Sequence, residues 1–285
     1  MYRTILITGA GSGFGEGTAI GLAKQGHTVI AAAQFWPQVT ALRNKVEVLE
    51  LANIRVEKLD LLEPHDTAGV ADWEFDVLVN NAGIGEGGPI SEIPLDLVRH
   101  NFEVNVFAPL GLTQGVVKRW VRSKTKGKIV FVSSALGVIS PPMVAAYSAT
   151  KHAVQAIAEA MQDELRPFGI QVQTINPGPF LTGFNDRMFQ TWESWEVDPS
   201  ARVFDYAKLA FPRAQFDPEP VYATLTAVAA GEVDSFRNLE PKSMLGETKH
   251  LQQVPWQRKV TDGLGTRHQA ITHSYEMQPE TPVAS

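Results

Sequence analysis

Three polar side chains stand at a spacing that suits proton transfer. Tyr147 and Lys151 are four residues apart, so on a helix they share one face. Ser134 ends the apolar run Ile129-Val130-Phe131-Val132-Ser133 and precedes Tyr147 by thirteen residues. A free tyrosine, with a pKa of about 10, is a poor base at neutral pH. A nearby ammonium favours the phenolate, so Tyr147 can take a proton from an alcohol or return one to a carbonyl oxygen. The Ser134 hydroxyl suits that same oxygen, where it stabilises developing charge. A tyrosine and a lysine one helical turn apart arise easily by chance; the serine at a strand end makes them a constellation.

These side chains need elements to hold them. Short β-branched runs at Thr4–Thr8, Thr28–Ala32, Ile54–Leu59, Asp76–Val79, Lys128–Val132 and Gln171–Ile175 are each separated by enough chain for a helix. Strands apolar throughout are covered on both faces, as in a parallel sheet. Strand–helix alternation of this kind predicts an α/β doubly wound fold. A helix from Tyr147 to Arg166 carries Ala153, Val154, Ile157, Met161 and Leu165 as an apolar stripe, and Pro167 and Gly169 stop it.

The first strand runs straight into Thr8-Gly9-Ala10-Gly11-Ser12-Gly13-Phe14-Gly15. A pyrophosphate that approaches the backbone at a helix N-terminus meets free N–H groups and a favourable dipole, and a Cβ at the closest points would block it. Strand before and helix after is the context such a loop requires.

Gly9, Gly13 and Gly15 follow T-G-x-x-x-G-x-G rather than G-x-G-x-x-G. With Ser134, Tyr147 and Lys151, this spacing resembles the short-chain dehydrogenase/reductase family, in its shorter single-domain branch. The resemblance implies a Rossmann fold and hydride transfer between NAD(P) and an alcohol or ketone. It implies that Asn80-Asn81-Ala82-Gly83 supports the sheet and lines the cofactor. Asn105 then belongs to a proton relay with the lysine, and Asp60 lies near the adenine ring. Pro177-Gly178 ends the sixth strand, and Thr182 lies near the nicotinamide amide. The expected cofactor set is Gly9, Ser12, Gly13, Phe14, Gly15, Gln34, Asp60, Leu61, Asn81, Ala82, Gly83, Tyr147, Lys151, Pro177, Gly178 and Thr182. A homodimer or homotetramer is implied as well. The motifs cover residues 3 to about 183, cover 217–240 loosely and leave the tail untouched.

The nucleotide is read from the end of the second strand. An acid there binds both ribose hydroxyls of NAD, and an arginine binds the extra phosphate of NADP. Here Ala33 and Gln34 occupy the place, and Ser12 stands where a basic residue often marks NADP. With no cation placed for the phosphate the reading is NAD, Arg43 and Lys45 being the cations within reach.

Net charge is −6 and the pI about 5.7, which gives no electrostatic case for nucleic acid. The chain has no cysteine, which removes disulfides, thiolate metal sites and a cysteine nucleophile. The histidines show no metal-ligand spacing. No apolar run approaches a membrane span and no signal core opens the chain, so the expected location is the cytoplasm. Residues 1–248 read as one cofactor-binding and catalytic domain. Within it, the aromatic stretch 179–216 forms a small helical lobe over the substrate, where its aromatics either meet an apolar substrate or pack the lobe itself. Pro218–Ala229 reads as a helix and Ser235–Leu239 as a weak last strand. The polar tail 249–285 is expected to be loose or to lie at a subunit contact, and Lys118–Lys128 reads as a solvated helix end and turn.

Two other readings remain open. A same-fold epimerase or dehydratase also uses Tyr-x-x-x-Lys, although such enzymes usually carry T-G-x-x-G-x-x-G. A non-catalytic dinucleotide sensor typically loses Ser, Tyr or Lys, and all three are present here.

Overall fold

The computed structural model describes residues 2–196 and 198–276. Among them, seven strands form one parallel sheet: β1 Thr4–Ile7, β2 Thr28–Ala33, β3 Ile54–Lys58, β4 Val77–Asn80, β5 Lys128–Val132, β6 Gln171–Pro177 and β7 Arg237–Glu240. Their order is β3-β2-β1-β4-β5-β6-β7. The chain reverses direction across the sheet between β1 and β4. That is a topological switch point, and it leaves a crevice above the carboxyl ends of those strands.

Alternate strand residues serve opposite faces, as the pleat requires. Ile5, Ile7, Val29, Ala31, Val77, Val79, Val130 and Val132 pack against helices α1 Gly13–Lys24, α2 Trp36–Val48 and, later in the chain, Glu219–Ala230. Leu6, Ile30, Leu78, Ile129 and Phe131 face the other way. Between these two sets of strands and helices, α3 Pro64–Gly69 follows β3. The second face is covered by α4 Leu95–Phe102, α5 Ala108–Ser123 and α6 Ala145–Leu165. The doubly wound sheet is therefore the one expected from the apolar runs, with strand ends shifted by a residue or two.

Helix α6 starts two residues before Tyr147. It ends in a 3-10 turn, Arg166–Phe168, where Pro167 lacks an N–H to continue the ladder and Gly169 takes φ +71° as the C-cap. A single π-turn, Glu103–Phe107, joins α4 to α5 and carries Asn105. Sequence pattern gave no sign of it.

The aromatic lobe holds α7 Phe184–Gln190 and several 3-10 turns. It has its own apolar cluster, which includes Met143, Tyr147, Met188, Phe189, Trp195, Tyr206 and Leu209. After α8 (Glu219–Ala230) and β7 come α9 Leu245–Gln257 and α10 Gln269–Glu276. Ser274 of α10 is buried. Its Oγ donates to the Ala210 carbonyl at 2.5 Å and accepts from the Ala210 N–H at 3.2 Å. The tail is thus tied to the lobe through residue 276, and residues 277–285 lie outside the described part.

Lys128 corrects one expectation. It is 2% exposed rather than solvated, because it opens β5 beneath α8 and its Nζ donates to the Val228 carbonyl at 2.8 Å.

Candidate active site

The crevice at the switch point continues into a cavity of about 1280 Å³ that reaches the lobe and the C-terminal helices. Its inner end is the loop between β1 and α1. Ser12 caps α1 without a side-chain hydrogen bond to the first turn, so the leading N–H groups are left for an anion. Gly9 has φ +64°, and a Cβ there would come within 2.7 Å of the Ala82 Cα. A Cβ on Gly15 would lie 2.5 Å from the Asn81 side chain and from the Gly9 carbonyl. The loop is closed against the end of β4 by hydrogen bonds. Asn81 Nδ2 donates to the Thr8 and Gly9 carbonyls at 2.9 and 3.0 Å, and the N–H groups of Asn81 and Ala82 both donate to Thr8 Oγ1. These contacts make a glycine-lined cradle of the right polarity for a dinucleotide pyrophosphate.

Gly9, Ser12, Gly13, Phe14, Gln34, Asp60, Leu61, Asn81, Ala82, Gly83, Pro177, Gly178 and Thr182 all line this cavity. Gly15 lies beneath it, packed on Asn81. Gln34 Nε2 donates to Asp60 Oδ2 at 3.2 Å, so the ends of β2 and β3 form one polar edge. Ala33 is fully buried in the core beside it and does not reach the cavity. Of the two cations considered for a phosphate, Arg43 donates to the Val56 carbonyl at 2.9 Å and Lys45 pairs with Glu16.

At the far side of the crevice Ser134, Tyr147 and Lys151 converge, each under a tenth exposed. Ser134 follows β5 directly, and Tyr147 and Lys151 sit in the first two turns of α6. The Ser134 hydroxyl lies beside the Tyr147 phenol and favours its ionised form. It also donates to the Pro177 carbonyl at 3.3 Å and accepts from the Leu136 N–H at 3.1 Å. Asn176 Nδ2 donates to the Ser134 carbonyl at 2.8 Å, which fixes the serine's backbone. Lys151 Nζ donates to the Val132 carbonyl at 2.9 Å and lies 5.5 Å from the centre of the Tyr147 ring.

Electrostatics here differ from the simplest reading of the sequence. Burial pushes the Tyr147 phenol well above its ordinary range, and the neighbouring Ser134 hydroxyl offsets only part of this. Burial lowers the Lys151 ammonium to about 8. The lysine sits over the ring and against a carbonyl. Without a ligand, the phenol is therefore neutral.

Asn105 is 2% exposed and its amide is fully engaged. Nδ2 donates to the Ile84 carbonyl at 2.8 Å and to Thr150 Oγ1 at 3.0 Å, while Oδ1 accepts from the Ile84 N–H at 2.8 Å. A Cβ on Gly83 would lie 3.2 Å from Asn105 Oδ1 and 3.6 Å from Lys151 Nζ, so Gly83 is wedged between the two. Thr150 went unremarked in the sequence, although it falls inside Tyr147-Ser148-Ala149-Thr150-Lys151. Its hydroxyl donates to the Tyr147 carbonyl at 2.7 Å and couples α6 to Asn105.

The lobe forms the outer wall. Phe180, Phe184, Phe189 and Phe211 line the cavity, and the Phe184 ring lies 5.4 Å from that of Tyr147. Trp192, Trp195 and Tyr206 instead pack on one another. The aromatics thus divide between the cavity wall and the packing of the lobe itself. Leu251, Gln252, Pro255 and Arg258, with His268 and Ala270, bring the C-terminal segment to the same cavity. No helix of the described residues is long and apolar enough to cross a membrane.

Known proteins share this arrangement. The family model described as "short chain dehydrogenase" matches residues 3–193. The chain is 44% identical over 111 residues to an NADPH-dependent 3-dehydrocapnine reductase of Ornithobacterium rhinotracheale, a match covering 37% of this chain and 38% of that protein. It is 31% identical over 212 residues to the uncharacterized oxidoreductase YusZ of Bacillus subtilis, covering 73% of this chain and 75% of that one. A short-chain dehydrogenase from Streptomyces avermitilis superposes with a TM-score of 0.73 at 28% identity, covering 90% of this chain and 95% of that one. The glycine cradle, the parallel sheet and these matches agree: the chain belongs to the short-chain dehydrogenase family and is an NAD(P)-dependent oxidoreductase.

Proposed function

We propose that this protein interconverts a secondary alcohol and a ketone, with Tyr147 as the acid/base. The observation that carries this is the shared pocket of Ser134 and Tyr147, which lie side by side, buried, at the end of the glycine cradle. The bound nicotinamide supplies or accepts the hydride. In reduction, the neutral Tyr147 phenol donates its proton to the substrate oxygen while Ser134 Oγ holds that oxygen in place. In oxidation the same phenol oxygen must first lose its proton, and the Lys151 ammonium beneath the ring helps it do so. Asn105 contributes to the relay by holding Ile84 and Thr150 in place around Lys151, with both of its amide hydrogens already donated.

The cofactor proposed is NAD. The adenosine end of the cavity is lined by Gln34, Phe35, Gln38, Asp60 and Leu61, with no lysine or arginine among them. Arg43 and Lys45 are engaged elsewhere. The NADPH dependence of the reductase named above belongs to that protein. A homodimer or homotetramer working in the cytoplasm completes the reading, and sedimentation and cell fractionation measure both.

The decisive experiment follows NAD(P)H consumption on a panel of ketones. Tyr147→Phe is expected to lose about 10²–10⁴-fold in turnover on any accepted ketone with an unchanged melting temperature. Equal rates for wild type and mutant would refute the mechanism.

A further inference from the structure

One carboxylate in the cavity has no protein partner. Glu86 is 8% exposed and lines the cavity. Its Oε2 is fully buried without a hydrogen bond, and neither oxygen forms an ion pair with a described residue.

Its position is rigid. Glu86 lies in the strap Gly83-Ile84-Gly85-Glu86-Gly87-Gly88. Gly87 N–H donates to the Met188 carbonyl at 2.8 Å, and Gly88 N–H donates to the Met143 carbonyl at 2.7 Å. A Cβ on Gly85, Gly87 or Gly88 would come within 2.8 Å of Met188 or Trp195. The strap is thus pressed flat onto the lobe, and Glu86 is the one residue between Gly85 and Gly88 with a side chain. It lines the same cavity as Ser134, Tyr147 and Phe184.

A buried carboxylate without a partner is costly, and the cost is relieved best by a positive charge that also donates hydrogen bonds. The cations near the cavity do not supply it. Lys151 is bound to the Val132 carbonyl, Arg213 is paired with Glu247, and Arg187 and Arg258 are exposed. We propose that Glu86 is a specificity residue that binds a protonated amine on the substrate, so that the alcohol or ketone this protein takes is an amino alcohol or aminoketone with an apolar body. The phenylalanines of the lobe receive that body. An anionic substituent at the same place meets Glu86 and is rejected.

This inference rests on the alcohol–ketone reading, and the test separates the two. Oxidation of 2-amino-1-phenylethanol, 1-phenylethanol and 1-phenyl-1,2-ethanediol is compared in wild type, Glu86→Gln and Tyr147→Phe. Binding of each alcohol is measured by calorimetry alongside. Glu86→Gln keeps the shape and removes the charge, and a melting curve confirms its fold. Wild type is expected to favour the amino alcohol over 1-phenylethanol about tenfold or more in kcat/KM. Glu86→Gln is expected to erase that preference while leaving 1-phenylethanol within about twofold. An unchanged preference in Glu86→Gln, or none in wild type, overturns the amine and leaves the reaction standing. Equal preference for the diol overturns the cationic class. Full activity in Tyr147→Phe overturns the reaction itself. If no alcohol turns over, calorimetry decides: amine-dependent heat that Glu86→Gln abolishes supports the site, and its absence overturns it.

Discussion

Lys151 and Lys128 make an instructive pair. Both are almost wholly buried, both donate to a main-chain carbonyl at 2.8–2.9 Å, and burial lowers both to about 8. Lys128 closes the C-terminal turn of α8, where an ammonium suits the helix dipole, and it does not line the crevice that holds Lys151. Lys151 stands under the Tyr147 ring, beside Gly83 and Asn105, at the wall of the cofactor crevice. In both, burial is the main cause of the lowered pKa, and the neighbours decide whether it serves chemistry or scaffold.

Exchanging the two lysines' fates is the strongest way to break this comparison. Lys151→Ala is expected to lower turnover by about 10²-fold with little loss of stability, whereas Lys128→Met keeps turnover within about twofold. Equal activity losses would show that both act through the fold. A pH profile sharpens the point. In wild type the rate of alcohol oxidation is expected to rise with pH, because on the proposed mechanism the buried Tyr147 phenol must ionise. Lys151→Ala is expected to move that rise to higher pH, and Lys128→Met to leave it in place. An unmoved profile in Lys151→Ala would confine Lys151 to positioning.

A smaller effect is expected at the adenosine end. Gln34→Arg places a cation beside Asp60 at the rim of the cavity and is expected to shift the NADP/NAD ratio of kcat/KM about tenfold towards NADP. An unchanged ratio would mean that the ribose does not reach Gln34.

The smallest expected effect is on stability. Each lysine's folded value of about 8 lies below the ordinary 10.5. Between these values the unfolded chain binds more protons, so stability rises as pH climbs from 8 towards 10. Tyr147 acts oppositely and lowers stability only above about pH 10. Denaturant titrations at pH 7.5 and 9.5 are expected to show wild type gaining about 1–2 kcal/mol more than Lys128→Met. Equal gains would show that Lys128 keeps an ordinary lysine pKa and stays charged in the fold across this range.

How much was legible varied with the range of the interactions involved. The inner strands β1, β2, β4 and β5 were readable because each is nearly apolar throughout, a signal carried within four to six residues. The phosphate loop was readable because the cradle needs glycines at a fixed local spacing. Lys128 was misread for the converse reason. Its partner, the Val228 carbonyl, is one hundred residues away, and a lysine after Lys124, Lys126 and Gly127 looks like a solvated turn. The second strand shows the same limit at finer scale. Its end was visible, but which of Ala33 and Gln34 faces the crevice depended on a register that only pairing with β3 sets.

By itself, the sequence determined the doubly wound order of elements, the dinucleotide loop and the identity of Ser134, Tyr147 and Lys151, because each of these is written in local spacing. Tertiary structure decided the charge state of Tyr147, the engagement of Asn105 with Ile84 and Thr150, and the partnerless carboxylate of Glu86. Desolvation and hydrogen-bond satisfaction depend on what distant segments place around a side chain, and no local pattern records that.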